Sequence, residues 1–321
     1  MEQQITYHEP GVLEVPTLSR FEALVGNTPL VSFRRITAGL APGVHVLAKA
    51  EWFNPGGSIK DRPALNIIRT ALADGSLSPG KRLLDATSGN TGIAYATFGA
   101  ALGIPVTLAM AANASAERIA ILRALGAELI LTDPSEGADG AIRQVQAMAA
   151  ERPDYYFHAN QYDNPANWQA HYHSTGPEIV AQTGGCVTHF VAGMGTSGTL
   201  TGVGRYLKQY NPAIQLIGGQ PDGPFHGIEG IKHIPTAIPP KIYDPSLPDR
   251  IEQVSAEQAY GMVRRLAREE GFFVGVSSGA NLAIALRVAA ELEEGVVVTV
   301  FPDAGYKYLS ENKLWEPESE E

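Results

Sequence analysis

The stretch Arg82-Leu83-Leu84-Asp85-Ala86-Thr87-Ser88-Gly89-Asn90-Thr91-Gly92 decides the fold. A short apolar run stops at a turn of hydroxyl, amide and glycine residues, and residues 91–102 then carry apolar side chains at three and four spacing. Strand, polar turn, helix is one half of a β-α-β unit. Working outward, the same order recurs. Strand-like runs lie at 44–48, 105–109, 127–131 and 155–158, and again at 189–192, 215–218, 272–276 and 296–301. Helical spacing covers 61–73, 115–125, 141–149, 168–181, 199–209, 256–270 and 281–292. This alternation predicts an α/β protein with mainly parallel sheets.

Its 321 residues are enough for two ordinary domains of about 150 residues. With 44% hydrophobic and 18% charged residues the chain can bury a real core, which excludes disorder. The net charge is −10, and residues 311–321 hold five Glu and one Lys. No basic run remains that could follow a nucleic-acid backbone or an anionic membrane. The single cysteine, Cys186, excludes a disulfide framework and a thiolate metal cluster. His171 and His173 stand two apart on a predicted helix, so no metal site is expected of them. Met1-Glu2-Gln3-Gln4 lacks the cationic start of a secretory signal, and no apolar run approaches membrane-spanning length. A cytoplasmic protein is expected.

Three segments call for chemistry. In Asn54-Pro55-Gly56-Gly57-Ser58-Ile59-Lys60-Asp61-Arg62 a flexible turn delivers a lysine to a helix start. There the helix terminus and Arg62 both oppose a second cation. A neutral Lys60, as in an imine with an aldehyde cofactor, removes the conflict; an ordinary surface lysine is the alternative. In Thr87-Ser88-Gly89-Asn90-Thr91-Gly92, four polar side chains gather at a helix start, where one cap needs one. They make an anion pocket suited to a carboxylate.

The third segment is Gly193-Met194-Gly195-Thr196-Ser197-Gly198-Thr199. Its pattern fits a dinucleotide loop, but the next strand ends in Gly218-Gly219-Gln220, with no acid for a ribose until Asp222 in a loop. No Gly-Lys-Ser/Thr follows, so it is not a P-loop. A cup for a single phosphate monoester remains. A reactive lysine, a carboxylate pocket and a monophosphate cup together fit pyridoxal 5'-phosphate and an amino acid.

At these residues the chain resembles the cysteine synthase (O-acetylserine sulfhydrylase) family of fold-type II pyridoxal-phosphate enzymes. The resemblance also takes in Gly26-Asn27-Thr28-Pro29-Leu30, Asn164-Pro165-Ala166-Asn167, Thr175-Gly176-Pro177-Glu178 and Gly275-Val276-Ser277-Ser278-Gly279. It implies two three-layer α/β domains like those of tryptophan synthase β, with the cofactor between them. The expected units are a smaller, mobile domain at 45–155, a larger one built from 1–44 plus 156–310, and an acidic tail at 311–321.

The resemblance makes Lys60 the Schiff-base lysine and proton shuttle. Asn90 would meet the cofactor's 3'-oxygen, and Gly195, Thr196, Ser197, Gly198 and Thr199 its phosphate. Thr87, Ser88, Asn90, Thr91 and Gln161 would receive the substrate carboxylate. Ser277, with Ser278 beside it as the alternative, would meet the pyridine nitrogen. A neutral hydroxyl there weakens the ring as an electron sink and suits β-elimination better than transamination.

Gln220-Pro221 and Gly230-Ile231-Lys232 look like the cysteine synthase B branch, where Gly230 and Lys232 would face a sulfur donor. Expected substrates are O-acetyl-L-serine with sulfide or thiosulfate, giving cysteine or its S-sulfo analogue. Asp222 replaces the arginine of the O-phosphoserine branch. A homodimer is implied, with serine acetyltransferase as a docking partner. The rivals are an O-phosphoserine sulfhydrylase, a serine or threonine dehydratase, and a catalytically silent binding protein of the same fold.

Overall fold

The computed structural model describes residues 21–87 and 89–315. In chain order its main elements begin with β1 (Leu30–Ser32), β2 (Gly43–Ala50), α1 (Asp61–Ala73), β3 (Arg82–Ala86), α2 (Asn90–Leu102), β4 (Val106–Ala111) and α3 (Ala116–Ala124). Then come β5 (Glu128–Thr132), α4 (Gly137–Glu151), β6 (Tyr156–His158), α5 (Ala166–His173), α6 (Thr175–Gln182), β7 (His189–Gly193) and α7 (Gly198–Tyr210). The chain continues with β8 (Gln215–Pro221), β9 (Arg250–Val254), α8 (Ala256–Arg265), α9 (Val276–Ala290) and β10 (Glu294–Phe301).

Two sheets result. One has the order β1-β2-β10-β7-β8-β9, the other β5-β4-β3-β6. Every pairing is parallel except β1 with β2. Central strands of a parallel sheet are covered on both faces and so read as continuous apolar runs. Accordingly Val297, Val298, Val300 and Phe301 of β10 are all buried. Apolar clusters cover both faces of each sheet: Leu83 and Leu84 of β3 point into different clusters, as do Val297 and Val298 of β10.

Sheet membership shifts the edges of the two expected units. Strand β2, at 43–50, lies in the six-stranded sheet, and β6, at 156–158, lies in the four-stranded one. The chain enters the smaller sheet after residue 50 and leaves it after 158.

The 272–276 run is not a strand, contrary to expectation. Val274 makes a lone bridge to Ala304, and Val276 already starts α9. The run is apolar because Phe272 packs edge-on against Phe33 and Phe301, and Phe273 stacks on Trp315. Periodicity alone does not separate a buried connection from a buried strand. The 168–181 helix is broken at Ser174, whose φ of −130° and ψ of −68° are not helical. Pro177 is tolerated beyond the break because its missing N–H falls in the first turn of α6.

Both sheets change winding direction at a strand that carries chemistry. From β3 the chain runs to β4 and β5 on one side, while β6 lies on the other; from β7 it runs to β8 and β9, with β10 opposite. Ligands of open α/β sheets bind outside the carboxyl ends of strands at such reversals. The loops leaving β3 and β7 are the Thr87–Asn90 turn and the Gly195 turn. Among the described residues no helix is long and apolar enough to cross a membrane.

Candidate active site

A cavity of about 440 Å³ opens where these two loops face each other. That lies within the usual 300–1,000 Å³ of small-molecule sites. Lys60, Thr87, Asn90, Thr91 and Gln161 line it from one side; Gly195, Thr196, Ser197, Thr199 and Ser277 line it from the other, and Gly230 and Lys232 belong to its lining too. Gly198 starts α7 just behind the wall. Ser88 falls outside the described residues.

Lys60 is the last residue before α1 and half-buried. Burial of its amine lowers its pKa to about 8, and the Asp303 charge opposes that shift. The expected conflict with Arg62 does not arise. The Arg62 guanidinium points away, to Glu51 at 2.7 Å and Glu178 at 2.6 Å. Lys49 completes the buried group through Glu178 at 2.6 Å, so two cations face two carboxylates. Desolvation therefore brings Lys60 toward its neutral, nucleophilic form.

The 195–199 turn is shaped by close approach. A Cβ on Gly195 would strike the Gly230 carbonyl, and one on Gly198 would strike the Asn167 amide oxygen. Ser197 adopts a left-handed φ of +66°, rare for a residue with a side chain. Its hydroxyl is buried with no hydrogen-bond partner among the described residues. The Thr196 hydroxyl accepts from Gly198 N and from Asn167 Nδ2, both at 3.2 Å. Thr199 lies 3.4 Å from His171 Nε2, and burial holds that imidazole neutral. With no charged side chain in the turn, the start of the 13-residue helix α7 supplies the positive potential.

In the facing loop, Thr91 donates to Gln161 Oε1 at 2.7 Å, which leaves the Gln161 amide N–H groups for a ligand. Asp85, at the end of β3, accepts from the backbone N–H of Gln161 at 3.3 Å. Asn90 donates to Asp303 at 2.7 Å and accepts from Lys307 at 2.6 Å. Ser277 stands on the cavity wall. Ser278 is fully buried and its hydroxyl has no partner among the described residues.

Lys232 stands 4.2 Å from the centre of the Tyr162 ring, and burial lowers its pKa. Asp222 is exposed and away from the cavity. His171 is buried while His173 is exposed, and no cluster of three or more metal-ligating side chains occurs among the described residues. An orphaned serine hydroxyl in a tight glycine turn, uncharged donors at a helix start, and a low-pKa lysine in the same cavity fit pyridoxal phosphate.

Sequence reasoning missed Asp303, Lys307, Arg118 and Glu229. Asp303 had one legible signal, an acid two residues past the carboxyl end of the buried strand β10. Tyr308 lines the cavity as well. Tyr306 is exposed and packs on Phe273.

Residues 21–303 match the family described as "Pyridoxal-phosphate dependent enzyme". The chain is 55% identical over 292 residues to the cysteine synthase of Aquifex aeolicus, covering 89% of each chain. It is 48% identical over 287 residues to cysteine synthase B of Pseudomonas aeruginosa, covering 89% of this chain and 94% of that one. The crystal structure of a cysteine synthase from Entamoeba histolytica superposes with a TM-score of 0.90 at 37% identity, over 99% of this chain and 96% of the other. With Lys60, the 195–199 turn and the 87–91 loop meeting in one cavity, and with these relatives matching along nearly its whole length, the chain belongs to the cysteine synthase group of the pyridoxal-phosphate dependent enzymes.

Proposed function

We propose that the protein forms L-cysteine by β-replacement on O-acetyl-L-serine, with sulfide or thiosulfate as the sulfur donor. The observation that carries this reading is the single cavity in which Lys60 faces both the 195–199 turn and the 87–91 loop. The residues that would hold the cofactor are Lys60 at its aldehyde carbon, Asn90 at its 3'-oxygen, Gly195, Thr196, Ser197, Gly198 and Thr199 at its phosphate, and Ser277 at its ring nitrogen. Bound there, it supplies an aldehyde for Lys60 and a ring that withdraws electrons from the substrate α-carbon.

The chain's own residues do the rest. Thr87, Ser88, Thr91 and Gln161, with Asn90, seat the substrate carboxylate and fix which bond at the α-carbon faces the lysine. The Lys60 amine, once free, would take the α-proton while acetate leaves the β-carbon. The sulfur nucleophile then adds at the β-carbon, and Lys60 returns the proton to the α-carbon. Ser277 offers a hydroxyl and no carboxylate, so the ring nitrogen is not held protonated and departure of the β-substituent is favoured. Gly230 and Lys232 line the cavity and would face the sulfur donor, and the partly buried Lys232 ammonium suits an anion such as thiosulfate.

The smaller lobe is proposed to move on substrate binding. A homodimer, serine acetyltransferase as protein partner, and a cytoplasmic address complete the reading. The test is visible absorption of protein loaded with pyridoxal phosphate as O-acetyl-L-serine and then sulfide are added. The spectrum should change with the first, return with the second and yield cysteine; Lys60→Ala should abolish the cycle. Pyruvate formed in place of cysteine would support a dehydratase, and indifference to O-acetylserine would overturn the substrate.

A further inference from the structure

Asn90 lines the cavity at the start of α2, and both ends of its amide are engaged behind the wall. Its Nδ2 donates to Asp303 Oδ2 at 2.7 Å, and its Oδ1 accepts from Lys307 Nζ at 2.6 Å. We propose that Asp303 and Lys307 are positioning residues that lock the flip state of the Asn90 amide, so that it shows the cavity an N–H and never its carbonyl.

The two ends of a carboxamide have nearly the same shape, so only its partners decide which way it faces. Here one partner is a pure donor and the other an acceptor. Flipping the amide would set its NH₂ against an ammonium and its carbonyl against a carboxylate, replacing two charge-assisted hydrogen bonds with two repulsions. Lys307 is fully committed: its remaining N–H groups reach the carbonyls of Gly57 at 3.2 Å and Gly56 at 3.4 Å. It thus ties Asn90 to the turn that delivers Lys60. Asp303 is fully buried, and its Oδ2 also accepts from Tyr308 at 2.8 Å, which fixes the carboxylate in place. One N–H of Nδ2 is spent on Asp303 and the other remains for the cavity. A locked donor there stabilises an anionic ring oxygen, where a freely flipping amide would offer a repulsive carbonyl part of the time.

The lock rests on the reading of this cavity as the pyridoxal-phosphate site. Its test reads the visible band of cofactor-saturated protein against pH. Losing a donor makes the ring oxygen more basic, so the shared proton is held to higher pH. Lys307→Gln can donate or accept with nearly unchanged shape, and should raise the bleaching midpoint by at least one pH unit. Lys307→Arg, which can only donate, should restore it, and Asn90→Asp sets the scale of a complete loss of the donor. If Lys307→Gln does not fold, Asp303→Asn is read in the same way, with a smaller rise expected. An unchanged midpoint in Lys307→Gln, or an equal rise in Lys307→Arg, overturns the lock while leaving the cofactor reading intact. Wild-type protein that takes up no pyridoxal phosphate overturns the cofactor reading itself, and the lock with it.

Discussion

Arg118 of α3 and Glu229 of the loop before Gly230 form a two-pronged ion pair in the lining of the cavity. One arm belongs to the smaller lobe and the other to the larger. The guanidinium also lies 5.2 Å over the Tyr308 ring. The pair is half open to water on the carboxylate side, with side-chain exposures of 7% and 44%, so its worth is that of a surface bridge, at most about 1 kcal/mol.

That modest value suits a contact that must break and re-form if the cleft opens and closes. Glu229→Gln should raise KM for the amino-acid substrate by up to about fivefold, the equivalent of ~1 kcal/mol, and leave kcat nearly unchanged. Steady-state kinetics of the two constants check this; a fall in kcat with KM constant would assign Glu229 to the chemistry instead.

Lys60 must be uncharged to attack an aldehyde, and its pKa is lowered to about 8. The rate at which cofactor-free protein takes up pyridoxal phosphate should therefore climb about tenfold per unit below pH 8 and level off above it. An Asp303→Asn variant removes the negative charge that supports the ammonium, so its plateau should begin at lower pH. Stopped-flow absorbance across pH 6–10 measures both.

The buried Lys49, Arg62, Glu51 and Glu178 group is balanced in charge. Glu51, fully buried, accepts from Arg62 Nε at 2.7 Å and from Thr28 Oγ1 at 2.7 Å. Glu51→Gln leaves a buried cation uncompensated and should cost about 3–5 kcal/mol of stability. Denaturant unfolding reads the loss directly, and a change below 1 kcal/mol would contradict the account.

Asp85 is a buried carboxyl whose two oxygens accept the backbone N–H groups of Ala86 at 2.8 Å and Gln161 at 3.3 Å. Burial raises its pKa from 3.8 to about 7. His158 Nε2 stands 3.9 Å away, but burial lowers that imidazole's pKa and it offers little compensating charge. A raised pKa means that the folded state holds a proton the unfolded chain has released. Its stabilisation is complete below about pH 4 and is lost as pH rises toward 7. Asp85→Asn should flatten that part of the stability profile, as melting midpoints between pH 4 and 8 will show. An unaltered profile would mean that Asp85 is ionised in the folded protein.

Strand β9 shows why part of the fold was hidden. Arg250-Ile251-Glu252-Gln253-Val254 is an edge strand with Arg250 and Glu252 turned to ion pairs, so its polar composition resembles a loop. Strand β1 is only three residues long and too short for periodicity to register. By contrast, α1 and β3 have the residue limits expected of them. An amphipathic helix and a doubly covered strand carry their environment in their own spacing.

The sequence by itself determined the alternating α/β class and the three segments whose side chains have no structural reason to cluster. Lys60, the Asn90 loop and the Gly195 turn are each encoded locally, because turn chemistry and helix starts depend on neighbours in the chain. Their meeting in one cavity is a product of two sheets reversing direction at β3 and β7, which no local pattern specifies. Asp303 and Lys307 lie more than 210 positions from Asn90, and only tertiary folding brings their charges to either end of its amide. The direction in which that amide faces is likewise a tertiary fact, since an isolated carboxamide has no preference to express.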